Sequence, residues 1–131
     1  MDMILPAKVM SELVEPFVVR GRLTGEKYKV HFSHLWVGMT TRHADTIDCK
    51  FLVNGRSVVI GLAHLGFVEF KQRTGRSLTD AEAAALAAAF LREFLAGDHT
   101  LPSQPLPVPP EELLRLAEQL SLTLSSETSG G

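Results

Sequence analysis

The amino-acid sequence predicts an α+β domain, in which an antiparallel sheet of about four strands is packed by an alanine-rich helix, with short helices near both ends. Three observations predict this class. Two stretches between residues 17 and 62 alternate apolar and polar residues around glycine-containing turns, as β-hairpins do. Residues 80–96 are apolar at helical spacing and have cap residues at both ends. The 131 residues, 45% of them apolar and 21% charged, suit one core.

The chain begins with a predicted short helix over residues 6–14, because Pro6 suits a first helical position and the following apolar residues form one stripe. A first hairpin is expected next, with Gly25 opening a two-residue loop. The loop fixes a register that pairs apolar residues on the buried face: Leu23 with Tyr28, and Val19 with Phe32. Residues 33–45 have no clean period, and we expect them to continue or cap the sheet.

A second hairpin has a stronger signal, since Asn54-Gly55 is a preferred pair for a type I′ turn. Both flanks are rich in residues that favour strands. The turn predicts apolar pairs on one side of the sheet: Phe51 with Val58, Cys49 with Ile60, and Ile47 with Leu62.

Residues 63–74 fit neither period well. We predict a helix, because Gly75 suits a left-handed helix end and Lys71 and Arg73 lie in the last turn, where cations interact favourably with the helix dipole. The alternative is a fifth strand that leads into a basic loop.

The helix over residues 80–96 is marked by a capping box of Thr79 and Glu82 and by Gly97 at its end. Seven alanines lie between residues 81 and 89, so most of its circumference is apolar or small. Such a helix is buried, either under its own sheet or against a second copy of the chain.

Five of the seven prolines lie between residues 102 and 110, which predicts an extended, semi-rigid linker. The predicted organisation is a single domain over 1–100, a linker over 101–110, an amphipathic docking helix over 111–124 and a disordered tail over 125–131. Leucines on one face of the docking helix form a candidate partner interface: Leu113, Leu116 and Leu120.

The net charge of −2 conceals a strong asymmetry along the chain. Residues 1–19 carry a net charge of −2, residues 20–76 carry +6, and residues 77–131 carry −6. Either the basic part meets an anionic partner, or the parts neutralise one another within the fold.

The outward side of the first hairpin is the main candidate site. The predicted register sets Arg22 opposite Lys29 and Arg20 opposite His31, and like charges across a strand pair are unfavourable. The side chains then extend into water, are covered by acidic residues, or receive an anion such as phosphate. No aromatic residue is expected among them, so base stacking is not predicted. The full candidate anion-binding set is Arg20, Arg22, Lys27, Lys29, His31, Lys71, Arg73 and Arg76.

The last three members of that set precede a helix N-terminus, where free N–H groups favour phosphate. However, Asp80 and Glu82 occupy the first turn of this helix and repel an anion. A connection with solvated cations is therefore the favoured interpretation of Lys71, Arg73 and Arg76.

No metal site, cofactor or catalytic residue is predicted. His31 and His34 are three apart on a predicted strand, so they are expected on opposite faces rather than around one metal. Cys49 occupies an inward strand position, typical of a small buried hydrophobe rather than a nucleophile. The sequence has neither a phosphate-binding glycine motif nor a hydrolase elbow.

Three functional hypotheses follow. The leading one is a non-catalytic interaction or adaptor protein that forms a homo-oligomer and docks an unidentified protein through its last helix. The second is a protein that binds nucleic acid or another polyanion through the basic first hairpin. The third is an enzyme whose site is built from residues distant in sequence. The single cysteine excludes a disulfide framework, and the absence of a signal-like or bilayer-length apolar run predicts a cytoplasmic protein without a membrane segment.

Overall fold

The computed structural model describes residues 13–38 and 46–122. The elements in these ranges are, in chain order, β1 (Phe17–Arg20), β2 (Lys27–Gly38), β3 (Thr46–Val53), β4 (Arg56–Ala63), α1 (His64–Thr74), α2 (Asp80–Ala96), β5 (Leu106–Val108) and α3 (Pro110–Gln119). One sheet has the strand order β1-β2-β3-β4-β5, with β5 parallel to β4 and the other neighbours antiparallel. The predicted α+β class is confirmed, but the sheet is mixed and has five strands.

Two of the predicted terminal elements fall outside the described residues. They are the disordered tail over 125–131 and nearly all of the helix over 6–14. Of that helix only Leu13 and Val14 are described, and both pack against the core.

The second predicted hairpin is present with its predicted register. Asn54 and Gly55 have φ angles of 50° and 85°, both positive as a type I′ turn requires. The predicted pairs are confirmed: Phe51 with Val58, Cys49 with Ile60, and Ile47 with Leu62. The local turn chemistry was therefore sufficient to set which side of β3 and β4 faces the core.

The first hairpin has a different register from the predicted one. The observed pairs are Phe17 with Val30, Val18 with Lys29, Val19 with Tyr28, and Arg20 with Lys27. The predicted pairs of Leu23 with Tyr28, Val19 with Phe32, Arg22 with Lys29, and Arg20 with His31 are therefore wrong. Each β1 residue meets a partner four positions earlier than predicted. Because this shift is even, Val19 keeps its buried position.

The first hairpin loop is wider than predicted because a distant residue holds it. Residues 21–26 connect the strands, and Leu23 in this loop is 90% exposed rather than buried. Asp98, just after α2, accepts hydrogen bonds from the Leu23 N–H (2.8 Å) and the Thr24 hydroxyl (2.6 Å). The bond from Thr24, followed by that from Leu23, keeps the pKa of Asp98 below its usual value.

Strand β2 contains an irregularity that changes which side chains face the core. The pairing with β3 shifts between Phe32 and His34, so Ser33 is an extra residue of a β-bulge. Before the bulge, even-numbered residues such as Phe32 face the core; after it, Leu35 does, opposite buried Cys49. The part of the 33–45 stretch that the structure describes thus continues the sheet through Gly38, as predicted. Residues 39–45 lie outside the described residues.

The helix boundaries follow the predicted signals. Residues 64–74 form a helix rather than a fifth strand, and Gly75 ends it in the left-handed conformation, with φ of 82°. Thr79 and Glu82 form the predicted capping box of α2. Side chains from all three helices join one hydrophobic cluster with the inward side chains of the sheet, so the helices lie on the same sheet face.

The proline-rich segment and the last helix belong to this same core. Leu106–Val108 pairs with β4 as the parallel strand β5, with Val108 buried. Pro107 is tolerated because an edge strand need not donate every backbone N–H. Leu113 and Leu116 of α3 are both fully buried. The segment predicted as a linker with a docking helix thus completes the core in this structure.

Candidate functional site

The sheet face opposite the helices, here called the outer face, contains the candidate site. The residues whose strand positions place them there are Val18, Arg20, Lys27, Lys29, His31, His34, Trp36, Asp48, Lys50, Leu52, Ser57 and Val59. None of them belongs to the core cluster. Within residues 13–38 and 46–122, the helices pack on the other face, so the described part of the chain leaves this face open.

The outer face is basic along β1 and β2. Arg20 lies directly across from Lys27, and Lys29 follows two residues further along β2. All three are exposed. The predicted opposition of like charges is therefore present, although with different partners. Such a pair is unfavourable unless its side chains extend into water or share an anion.

Lys50 on β3 extends this positive charge across the sheet, where it pairs with His34. Among the described strand residues of the outer face, the only carboxylate is Asp48, which accepts a hydrogen bond of 2.7 Å from the Thr46 hydroxyl. The salt bridges between described residues involve Arg76 and Arg115 and none of the outer-face cations. Within residues 13–38 and 46–122, no acidic side chain forms a salt bridge with this patch, which carries a net positive charge.

The bulge brings two aromatic rings onto the same face. His34 and Trp36 lie beside each other with ring centroids 5.0 Å apart and an angle of 32° between the planes. Trp36 is 37% exposed, and the Ser33 hydroxyl lies 2.9 Å from Nδ1 of His34. The expectation that this face lacks aromatic residues is wrong, because the bulge turns Trp36 outward. The expectation that His31 and His34 point to opposite faces is wrong for the same reason.

The eight candidate anion-binding residues separate into groups. Arg20, Lys27, Lys29 and His31 share the outer face, whereas Arg22 lies in the loop over 21–26. The other three lie in or just after α1, in the helical layer on the opposite side of the sheet: Lys71, Arg73 and Arg76. The structure therefore does not bring the outer-face residues together with the three residues at the end of α1.

Arg76 has a structural role at the start of α2. Its guanidinium donates to both carboxylate oxygens of Glu82, at 2.9 and 3.0 Å, and to the Leu122 carbonyl at 3.1 Å. These bonds from Arg76 hold the pKa of Glu82 below its usual value, aided by the N–H of Thr79. Arg76 thus ties the capping box of α2 to the chain after α3.

The candidate partner-interface leucines differ in exposure. Leu113 and Leu116 are fully buried in the core of their own chain, and Leu120 is 38% exposed. Beside them, a groove of about 700 Å³ lies between α1 and α3. Its lining mixes apolar and charged side chains, among them Leu65, Leu114, Arg73 and Glu118.

Cys49 is fully buried between its strand neighbours. Burial, with a smaller contribution from the charges of Asp48 and Asp80, raises the pKa of Cys49 to about 12. In the part of the chain that the structure describes, no group of three metal-binding side chains is close enough to hold an ion.

A thiol-labelling experiment tests the environment of Cys49. Because the reactive thiolate is scarce and the sulfur is enclosed, we expect 5,5′-dithiobis(2-nitrobenzoate) at pH 8 to label the native chain more than about a hundredfold more slowly than the urea-unfolded chain. The chain has one cysteine, so the absorbance change reports this residue alone. Equal rates in the two states would contradict the buried position.

Three site residues were missed from the sequence: His34, Trp36 and Lys50. The sequence contains a signal for these residues. The apolar residues that alternate along this segment are at even-numbered positions up to Phe32 and then at the odd-numbered position of Leu35. Within one strand such a change requires an extra residue, which is a bulge. The pairing of His34 with Lys50 then follows from the confirmed register of β3.

The chain matches no known protein family, and no curated protein or solved structure is significantly similar to it. No helix in residues 13–38 or 46–122 is long and apolar enough to cross a bilayer.

Proposed function

We propose that this protein is a non-catalytic nucleic-acid-binding domain, which contacts the phosphate backbone through the outer face of its sheet. The observation that carries this proposal is the concentration of positive charge there. Arg20, Lys27, Lys29 and Lys50 lie on three neighbouring strands, and none forms a salt bridge with another described residue. An extended polyanion offers all four a counter-charge at once.

The dimensions of the face suit a polymer. At about 3.3 Å per residue, the outer face of β2 extends roughly 30 Å from Lys27 to Trp36. Domains of the OB-fold class, which bind single strands, each accommodate about 4 to 16 nucleotides. Small anions contact only one or two of the cations, whereas a phosphate backbone follows the whole strand.

Fluorescence anisotropy of labelled random-sequence DNA and RNA tests the proposal, with the full chain at about 50 and 200 mM salt. Four phosphate contacts to a single strand predict a slope of log affinity against log salt near −2.8, so the affinity is expected to fall about 50-fold over this range. Competition between the two probes separates DNA from RNA. Absence of binding to both at 50 mM would overturn the proposal.

Self-association is a second candidate property, favoured by exposed apolar side chains on the helical layer. Leu65 on α1 is 50% exposed, and Val68 and Leu120 are 37% and 38% exposed. These side chains are available for a second copy of the chain or another protein. Light scattering of the full chain tests this property, and a monomer mass at micromolar concentration would contradict it.

A further inference from the structure

We infer that the outer face selects single-stranded over duplex nucleic acid, by stacking an unpaired base on Trp36. This inference rests on the proposed function and specifies which class of nucleic acid is bound. The observation that carries it is the position of the tryptophan on the same face as the cations. Trp36 follows Lys29, His31 and His34 along the outer side of β2.

The two rings at this end of β2 form a stacking surface. The imidazole of His34 lies beside the indole of Trp36, with centroids 5.0 Å apart and ring planes 32° apart, and Trp36 remains 37% exposed. An aromatic surface beside a basic strip stacks bases while the cations hold the phosphates. Half-buried Leu52, which pairs with His31, and half-buried Val59, which pairs with Lys50, supply apolar surface beside the cations.

Duplex nucleic acid offers the indole ring no equivalent contact. Its bases are already stacked on one another, and only their edges are accessible in the grooves. A single strand presents whole base faces to Trp36 while its backbone follows Lys27 and Lys29. The charge complementarity and the ring together therefore favour an unpaired strand.

Intrinsic fluorescence tests this inference directly, because the chain has one tryptophan. The full chain is titrated with a 12-nucleotide single strand, with the duplex of the same sequence and with inorganic polyphosphate, which has no bases. We expect the single strand to quench the fluorescence of Trp36 and the other two ligands to leave it nearly unchanged. DNA and RNA versions of the single strand show which sugar is preferred.

Substitution separates stacking from charge. Trp36→Leu is expected to weaken single-strand binding about 5- to 100-fold and to leave polyphosphate binding unchanged, while Trp36→Phe retains much of the affinity. Circular dichroism shows whether both variants fold. If Trp36→Leu does not fold, the quenching titration of the unsubstituted chain decides the question, because it requires no variant.

Two results would overturn the inference and can be told apart. If the single strand and polyphosphate both bind without quenching, and Trp36→Leu binds the single strand as tightly as the unsubstituted chain does, the face makes phosphate contacts alone. That result would overturn the inference and leave the proposed function standing. No binding of any oligonucleotide or of polyphosphate would overturn the proposed function together with the inference.

Discussion

Removal of residues 101–131 is expected to abolish the cooperative folding of the remaining chain. The deletion takes away β5, which pairs with β4, and α3, which packs against α1 and α2. Val108, Leu113 and Leu116 are at most 1% exposed in the intact chain, so their partners in the core would be left facing water.

The free energies involved favour complete loss of folding over a partial loss of stability. Burying an aliphatic side chain stabilises a fold by about 1.5 to 3 kcal/mol, so Val108, Leu113 and Leu116 together contribute about 5 to 9 kcal/mol. The whole free energy of unfolding of an ordinary domain is about 5 to 15 kcal/mol. A chain that ends at residue 100 is therefore left with little or no stability.

Thermal melting followed by circular dichroism measures this effect. A matched deletion of residues 125–131 leaves every contact between described residues in place and is expected to melt like the full chain. An unchanged, cooperative transition after removal of 101–131 would contradict the shared core. It would support the predicted organisation of a 1–100 domain followed by a linker and a docking helix.

A single substitution tests the same packing without deleting chain. Leu113→Ala is expected to lower the free energy of unfolding by about 2 to 5 kcal/mol, because its side chain packs closely over Gly66 of α1 and a cavity would remain. Glu118→Ala, on the exposed side of α3, is the matched control. Urea unfolding of the two variants gives the comparison.

The two hairpins show how far local sequence determines this fold. The β3–β4 register is encoded by adjacent residues, since Asn54 and Gly55 admit the positive φ angles that the turn needs. The β1–β2 register depends instead on Asp98, 75 positions beyond Leu23. No pattern within the hairpin reports that hydrogen bond, so the shortest loop was the natural but wrong expectation.

The remaining differences have the same physical origin. Proline-rich residues 102–110 have the composition of a linker, yet the segment that contains Leu106 and Val108 pairs with the edge of β4. The candidate site was identified in part, as the basic residues of β1 and β2. Trp36 was missed because one extra residue, Ser33, reverses the direction of every side chain after it in β2.

Charge reversal on the outer face is expected to produce the largest loss of nucleic-acid binding. The double variant Lys29→Glu/Lys50→Glu removes two phosphate contacts on neighbouring strands. With a slope of about 0.7 per contact, this loss predicts a 50- to 100-fold weaker affinity at about 50 mM salt and a salt slope shallower by about 1.4. Both side chains point away from the core, so the fold is expected to remain intact.

The double variant Lys71→Glu/Arg73→Glu gives the decisive comparison. It changes the net charge by the same amount, but its residues lie in the helical layer on the other side of the sheet. If binding depended only on total charge, both double variants would lose the same affinity. If binding occurs at a defined site, only substitutions at that site lower the affinity. We therefore expect less than about a threefold loss for this variant, measured by the same anisotropy titration. Equal losses would show that no defined face binds the strand, and a larger loss here would place the contacts at the end of α1.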